Sequence, residues 1–225
     1  MIENYRIIAV LPAYNEETSI GKVVSKTMDY VDHVIVIDDG SSDKTYENAK
    51  QAGAIVLKHI INRGAGATTW TGIQAALNLD ADIIVTIDAD GQHLPENIPS
   101  LIRPILENNA DVVIGSRFKD NIDRMPFIKK IGNTLLNKIT YIFYGINIID
   151  TQSGFKALSQ KAASQINISI DRYGFCSELI GEIRKKKLRF VEVSIPTIYL
   201  NKNKGTTTYD GINILFDLIL RGIGR

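Results

Sequence analysis

Short apolar runs separated by longer amphipathic stretches dominate the first half of the chain. Arg6 to Leu11, His33 to Asp38, Ala54 to His59, Ile83 to Ile87 and Asp111 to Gly115 are such runs, several of them rich in Ile and Val. Runs of this length and composition suit strands of a parallel sheet covered on both faces. The intervals between them are long enough for helices. Thr18 or Ser19 is placed to cap the first, Ser42 or Asp43 the next, and Pro95 suits the first turn of the fourth. Strand–helix alternation predicts an α/β fold with parallel strands joined by right-handed crossovers. Further on, Phe127 to Tyr144 has the pattern of a helix, with Lys129, Lys130 and Lys138 beside an apolar end, and Arg189 to Ile195 that of another strand, followed by Pro196. From Gly211 to Ile223 the polar residues Asn213, Asp217 and Arg221 fall four apart, one narrow stripe on a helix otherwise covered by Ile, Leu and Phe. The expected organisation is one α/β domain over 1–210 and an apolar helix over 211–225.

Composition narrows the function classes. The 225 residues carry 26 Lys+Arg against 25 Asp+Glu. That balance argues against nonspecific nucleic-acid binding, which needs clustered excess positive charge. A single cysteine, Cys176, excludes an internal disulfide framework and a Cys-rich zinc site. No window holds the roughly 18 uninterrupted apolar residues of a membrane span. Met1-Ile2-Glu3-Asn4-Tyr5-Arg6 lacks the basic-then-apolar pattern of a signal peptide, so a cytoplasmic location is the default expectation.

In an open α/β sheet, ligands bind beyond the carboxyl ends of the strands. Five successive strand ends here carry polar or Gly-rich turns: Pro12-Ala13-Tyr14-Asn15-Glu16-Glu17, Asp38-Asp39-Gly40-Ser41-Ser42-Asp43, Asn62-Arg63-Gly64-Ala65-Gly66, Asp88-Ala89-Asp90-Gly91-Gln92-His93 and Gly115-Ser116-Arg117. Together they predict one shared cleft. Asp88 and Asp90, two apart on an extended segment, point the same way and offer hard oxygen ligands for Mg²⁺ or Mn²⁺ bridging a substrate phosphate. Gln92 continues the spacing and offers a carbonyl ligand. The competing account, a solvated acidic turn, is weakened by the apolar strand before it. Asp38-Asp39-Gly40-Ser41 serves either as a turn and helix cap or, through Asp39, as an acceptor for a nucleobase or ribose. The Gly-rich turn before the third helix offers backbone N–H groups to a phosphate. His93 is either a base, a third ligand or a support of the turn; His33, His59, Trp70 and Cys176 are expected to be structural.

Pro-Ala-Tyr-Asn-Glu-Glu, Asp-Asp-Gly-Ser-Ser-Asp, Asp-Ala-Asp-Gly-Gln-His, Gly-Ser-Arg and Gln152-Ser153-Gly154-Phe155-Lys156 occur in this order. Over roughly residues 5 to 210 the chain thereby resembles the family 2 glycosyltransferases of the GT-A fold, and within them the dolichyl-phosphate mannose synthases and related polyprenyl-phosphate glycosyltransferases. The resemblance implies a mostly parallel nucleotide-binding sheet flanked by helices. It also implies a metal-dependent, inverting transfer of a hexose, mannose first, from a GDP- or UDP-linked sugar to dolichyl or polyprenyl phosphate at the cytoplasmic membrane face. Pro12, Tyr14, Glu16, Ile37 and Asp39 match positions that hold the donor nucleoside. Asp88, Ala89, Asp90 and Gln92 match the metal and diphosphate site, and Arg117 a basic residue facing phosphate. Asp90 and Arg117 are thus the expected catalytic pair. Lys202 stands where the family usually has Arg, and Gly205-Thr206-Thr207-Thr208 departs from the family's Gly-x-Ser-Lys. Lys129 and Lys130 are placed either to receive the acceptor phosphate or on a solvated helix face. The apolar tail serves a membrane surface, a partner chain or the sheet itself. UDP-glucose or UDP-N-acetylglucosamine as donor, a saccharide as acceptor, sugar nucleotidyl transfer and non-catalytic sugar-nucleotide binding are the competing functions.

Overall fold

The computed structural model describes residues 5–117, 134, 137, 138, 140–142, 145–168 and 174–196. Among these, Ile7–Ala13 (β1), His33–Asp38 (β2), Ile55–Lys58 (β3), Ile83–Thr86 (β4), Val112–Ser116 (β5), Lys156–Ser159 (β6) and Phe190–Ser194 (β7) make one sheet ordered β3-β2-β1-β4-β6-β5-β7. β3, β2, β1 and β4 are mutually parallel, as are β5 and β7. The helices are Ile20–Thr27 (α1), Thr45–Gln51 (α2), Ala65–Asn78 (α3), Ile98–Leu106 (α4, entered through a 3₁₀ turn at Pro95–Asn97), Gln160–Gln165 (α5) and Phe175–Lys185 (α6). The mixed α/β architecture expected from the hydrophobic pattern is present.

Alternate residues of each central strand feed two cores. Ile7, Ala9, Leu11, Val34, Val36, Ile83 and Val85 face one side with Ile20, Val24 and Leu101. Ile8, Val10, Ile35, Ile37, Ile84, Val112 and Ile114 face the other with Ile73, Leu179 and Ile180. Both faces are covered, so these strands have no polar side to alternate with, which is why they read as continuous apolar runs. Gly72 lets α3 lie directly on the sheet, for a Cβ there would come within 2.2 Å of Val10 Cγ1.

Three features differ from the hydrophobic pattern. β3 is an edge strand with Ile55 and Leu57 exposed, not a buried one. α2 begins one residue after Lys44, with Asp43 Oδ1 accepting from Thr45 N at 2.9 Å; Ser19 precedes α1 as expected, but its hydroxyl donates to Glu16 Oε2 and does not cap the helix. β6 has no apolar run to announce it, and it pairs antiparallel with both β4 and β5. Of the expected helix Phe127 to Tyr144, the described residues 134, 137, 138 and 140–142 are helical. The expected helix from Gly211 to Ile223 lies outside the described residues.

At the end of the sheet away from the cleft, Asp111 ties β5 to β7. Its Oδ2 accepts from Arg189 N at 2.9 Å and Nε at 3.1 Å, and its Oδ1 accepts from Arg189 Nη2 at 3.1 Å and Lys161 Nζ at 3.3 Å. The Arg189 guanidinium first of all holds the buried Asp111 carboxyl from 3.8 down to about 2. A depressed carboxylate pKa contributes stability that is complete above 3.8 and is lost as pH falls through about 2. Arg189→Met is therefore expected to lower stability at neutral pH and to move acid unfolding to higher pH. Circular dichroism along a pH titration checks this, and superimposable acid transitions would show the clamp to be idle.

Candidate active site

The strand ends at Ala13, Asp38, Thr86 and Ser116 share one rim of the sheet, and the reversed β6 begins there. Turns at strand ends leave backbone N–H groups without sheet partners, and short polar side chains supply them. Asp39 is buried. Its Oδ1 accepts from Arg63 N at 3.0 Å and its Oδ2 from Gly64 N at 2.7 Å. His59 Nδ1 lies 2.7 Å from the same Oδ1, and His59 Nε2 lies 3.1 Å from Thr71 Oγ1. Asn15 N donates to Ser41 Oγ at 2.9 Å and Glu16 N to Thr45 Oγ1 at 2.7 Å, which ties the first loop to the second. Gly40, at φ 73, lies so near the third loop that a Cβ would meet Ile61 C at 3.0 Å. Asp38 is fully buried and pairs with Lys58 Nζ at 3.0 Å, so it is a structural carboxylate.

The Asp88/Asp90 pair follows β4. Asp88 Oδ2 lies 3.2 Å from Nε2 of the buried His93, whose ring packs against Phe155. The Asp88 side chain is still 44% open. Above it runs Gly154, whose carbonyl accepts from Thr86 Oγ1 at 2.8 Å; a Cβ at 154 would come within 2.2 Å of Asp88 Oδ1. Burial works against the Asp88 charge, but the His93 bond and the fields of His93, Lys156 and Arg117 outweigh it and hold its pKa below the ordinary value. Burial first, then the Asp88 charge, pushes Asp90 up against the pull of the Gln92 N–H. Two adjacent oxygen donors, one held charged and the other raised beside it, fit a hard divalent cation. Among the described residues no group of three or more His, Cys, Asp or Glu could hold a metal ion. An ion at the pair would complete its shell with phosphate oxygens and water.

Other expected residues fall less simply. Gln92 donates to Asp90 from its backbone N at 2.9 Å and from its side-chain Nε2, so it braces the carboxylate. His93 supports Asp88. Ile37, expected at the nucleoside, is fully enclosed in the core, opposite Pro12 in the β1–β2 register. Ala89 is buried, while Tyr14 and Glu16 reach the surface of the first loop. Arg117 makes a two-toothed ion pair, Nε to Asp150 Oδ2 at 2.7 Å and Nη2 to Asp150 Oδ1 at 2.8 Å. Asp150 is itself held by Glu192 Oε1, which accepts from its backbone N at 3.0 Å. The sequence reading missed Asp150 and Glu192; the one available signal was the position of Asp150 just before Thr151-Gln152-Ser153-Gly154. Lys129, Lys130, Lys202 and Lys204 lie outside the described residues.

The family model for glycosyl transferase family 2 matches residues 8–166. An uncharacterised protein of Methanocaldococcus jannaschii is 42% identical over 99% of this chain and 94% of its own length. A UDP-N-acetylglucosamine–dolichyl-phosphate N-acetylglucosaminyltransferase of Methanococcus voltae is 37% identical over 97% of each chain. A polyprenol monophosphomannose synthase of Mycolicibacterium smegmatis is 26% identical over 93% of this chain and 83% of that one. Among solved structures, glucosyl-3-phosphoglycerate synthase of Mycobacterium tuberculosis, in complex with Mn²⁺, UDP-glucose and phosphoglyceric acid, superposes with a TM-score of 0.74 at 21% identity, covering 98% of this chain and 80% of that chain.

The contact between Gly154 and Asp88 is testable without any substrate. Gly154→Ala is expected to cost about 1–3 kcal/mol by overpacking. In an Asp88→Ala background most of that cost should vanish, because the obstructing carboxylate is gone. Urea unfolding of the four proteins in the cycle checks this; an equal cost in both backgrounds would place the obstruction elsewhere.

Proposed function

Because this chain belongs to glycosyl transferase family 2, we propose that it transfers N-acetylglucosamine from its UDP derivative to dolichyl or another polyprenyl phosphate. The observation that carries the transfer chemistry is the Asp88/Asp90 pair lodged under Gly154 on the rim that also bears Arg117. Mannose was the first expectation from the resemblance. The relative at 37% identity, matched over nearly its whole length, supports a UDP-linked N-acetylglucosamine instead. Tyr14, Glu16 and the Asp39-braced loops hold the nucleoside, with Pro12, Ile37 and Ala89 packing beneath them. Asp88 and Asp90 would hold a divalent cation, Mg²⁺ or Mn²⁺, which would supply positive charge for the departing nucleoside diphosphate.

The acceptor phosphate needs little activation. The second pKa of a phosphate monoester is about 6, so the nucleophile is mostly dianionic at neutral pH. Its attack on the anomeric carbon, opposite the leaving diphosphate, inverts that centre. The protein's task is to position and neutralise. Arg117, with its guanidinium plane fixed by Asp150, is assigned to phosphate. Lys202 keeps that assignment from resemblance alone, and Lys129 from its charge in the segment that follows Arg117. Gln92 braces Asp90, and His93 braces Asp88.

The decisive experiment incubates the protein with radiolabelled UDP-N-acetylglucosamine, UDP-glucose and GDP-mannose, each with dolichyl phosphate and Mg²⁺ or Mn²⁺. Label from UDP-N-acetylglucosamine is expected in the organic phase, with UDP released. Label from GDP-mannose alone would return the donor to mannose; water-soluble product would mean a saccharide acceptor, and pyrophosphate release a nucleotidyl transfer. Asp90→Asn should lower the rate on the order of a hundredfold or more while leaving the fold intact. A variant with near-normal turnover would remove Asp90 from the chemistry.

A polyprenyl acceptor places the protein at a membrane, peripherally and on its cytoplasmic face. No helix among the described residues is long and apolar enough to cross one. Large apolar side chains instead stand on the cleft rim: Ile60 is 99% exposed and Ile61 69%, just after β3, and Ile149 is exposed beside Asp150. Seating two isoleucines in the acyl boundary supports peripheral docking. Ile60→Asn with Ile61→Asn is expected to lower co-sedimentation with phospholipid vesicles on the order of tenfold or more. Unchanged vesicle binding would assign these side chains elsewhere, and a shift from dimer to monomer in light scattering would assign them to a second copy.

A further inference from the structure

Lys156 is 1% exposed and sits in the middle of the sheet, between β4 and β5. Its Nζ donates to the Ser153 carbonyl and lies 3.4 Å from Cys176 Sγ. Among the described residues no carboxylate stands within ion-pair distance of it. An ammonium enclosed in this way is costly unless a negative field compensates it. The sheet register shows where that field comes from. Lys156 is paired with Thr86 across the antiparallel β4–β6 ladder. Two residues beyond Thr86, past the end of β4, is Asp88, against which Gly154 packs. Residues two apart on an extended segment point to the same face. Asp88 feels the Lys156 charge as one of the influences that favour its ionised form.

We infer that Lys156 is a resident cation of the carboxylate site and makes binding of a divalent ion conditional on the nucleotide diphosphate. The inference rests on the proposed use of such an ion at Asp88 and Asp90. His93 and Arg117 also act on Asp88, but His93 is bonded to it and Arg117 is paired with Asp150, which leaves Lys156 as the enclosed ammonium facing Asp88 and Asp90. Two carboxylates and one ammonium leave at most one net negative charge. A divalent ion alone overshoots that charge and is repelled by Lys156. A diphosphate arriving with the ion restores the balance, so each ligand strengthens the binding of the other by the same factor. A neighbouring unit charge acts on a divalent ion twice as strongly as on a monovalent one, and an effect on affinity of at least about tenfold is expected even in a well-screened site. The site is thereby kept from holding an ion tightly before the donor arrives.

The test measures Mn²⁺ binding by loss of the free-ion electron paramagnetic resonance signal, with and without saturating UDP. Lys156→Met replaces the ammonium by an apolar side chain of similar volume, a change that buried sites often tolerate. Lys156→Gln serves as a second variant if the first fails to fold. Wild-type protein is expected to bind Mn²⁺ at least about tenfold more tightly with UDP than without it. Either variant should bind Mn²⁺ about tenfold more tightly than wild type in the absence of UDP, and the gain from UDP should shrink by the same factor. Equal Mn²⁺ affinities of wild type and variant without UDP would overturn the role of Lys156 while leaving the metal site standing. Failure of wild type to bind Mn²⁺ even with UDP would overturn the metal site itself, and the inference with it.

Discussion

Because β6 runs against both of its neighbours, it begins at the end of the sheet where the parallel strands finish. That reversal returns residues 150–155 to the rim that carries every other polar turn. Asp150 then meets Arg117, Gly154 lies on Asp88, and Phe155 packs behind His93. A parallel strand in that place would deliver the same segment to the opposite end, and the carboxylate pair would lose its roof. The strand costs little to reverse, since antiparallel pairing is at least as favourable per residue as parallel. Its central position buries Lys156 as a consequence.

The rim is rich in carboxylates, and their partners separate the structural ones from the chemical ones. Asp38 is answered by Lys58, Asp39 by backbone N–H groups and His59, and Asp150 by Arg117. Asp88 and Asp90 have a histidine and an amide between them, and Asp90 is pushed toward its neutral form by burial and by its neighbour. Two carboxylates side by side in a cleft, one raised by burial and by the charge of the other, favour a cation more firmly than the Asp-x-Asp spacing does.

Legibility in the sequence followed the physics of each element. β1, β2 and β4 are covered on both faces, so burial wrote itself as runs of Ile and Val. The carboxyl-end turns were legible because loops there must carry the polar groups. β6 was not, since a four-residue strand containing a lysine has no period to detect. Asp150 and Glu192 were missed for a different reason: each acts on a residue more than 30 positions away, and nothing local marks such a partner. Ile37 is enclosed because its strand is paired on both sides and its side chain packs in the core with Ile73.

The three loops after β1, β2 and β3 are held by side chains of one loop bonded to the main chain of another. Such bonds read the path of the backbone and are indifferent to the side chains it carries. Surface positions such as Tyr14 can therefore drift without disturbing the frame, whereas Asp39, Ser41 and Thr45 cannot change without moving a neighbouring loop. Divergence of donor preference along this lineage would then proceed by repainting a fixed cradle, with insertions and deletions excluded from it.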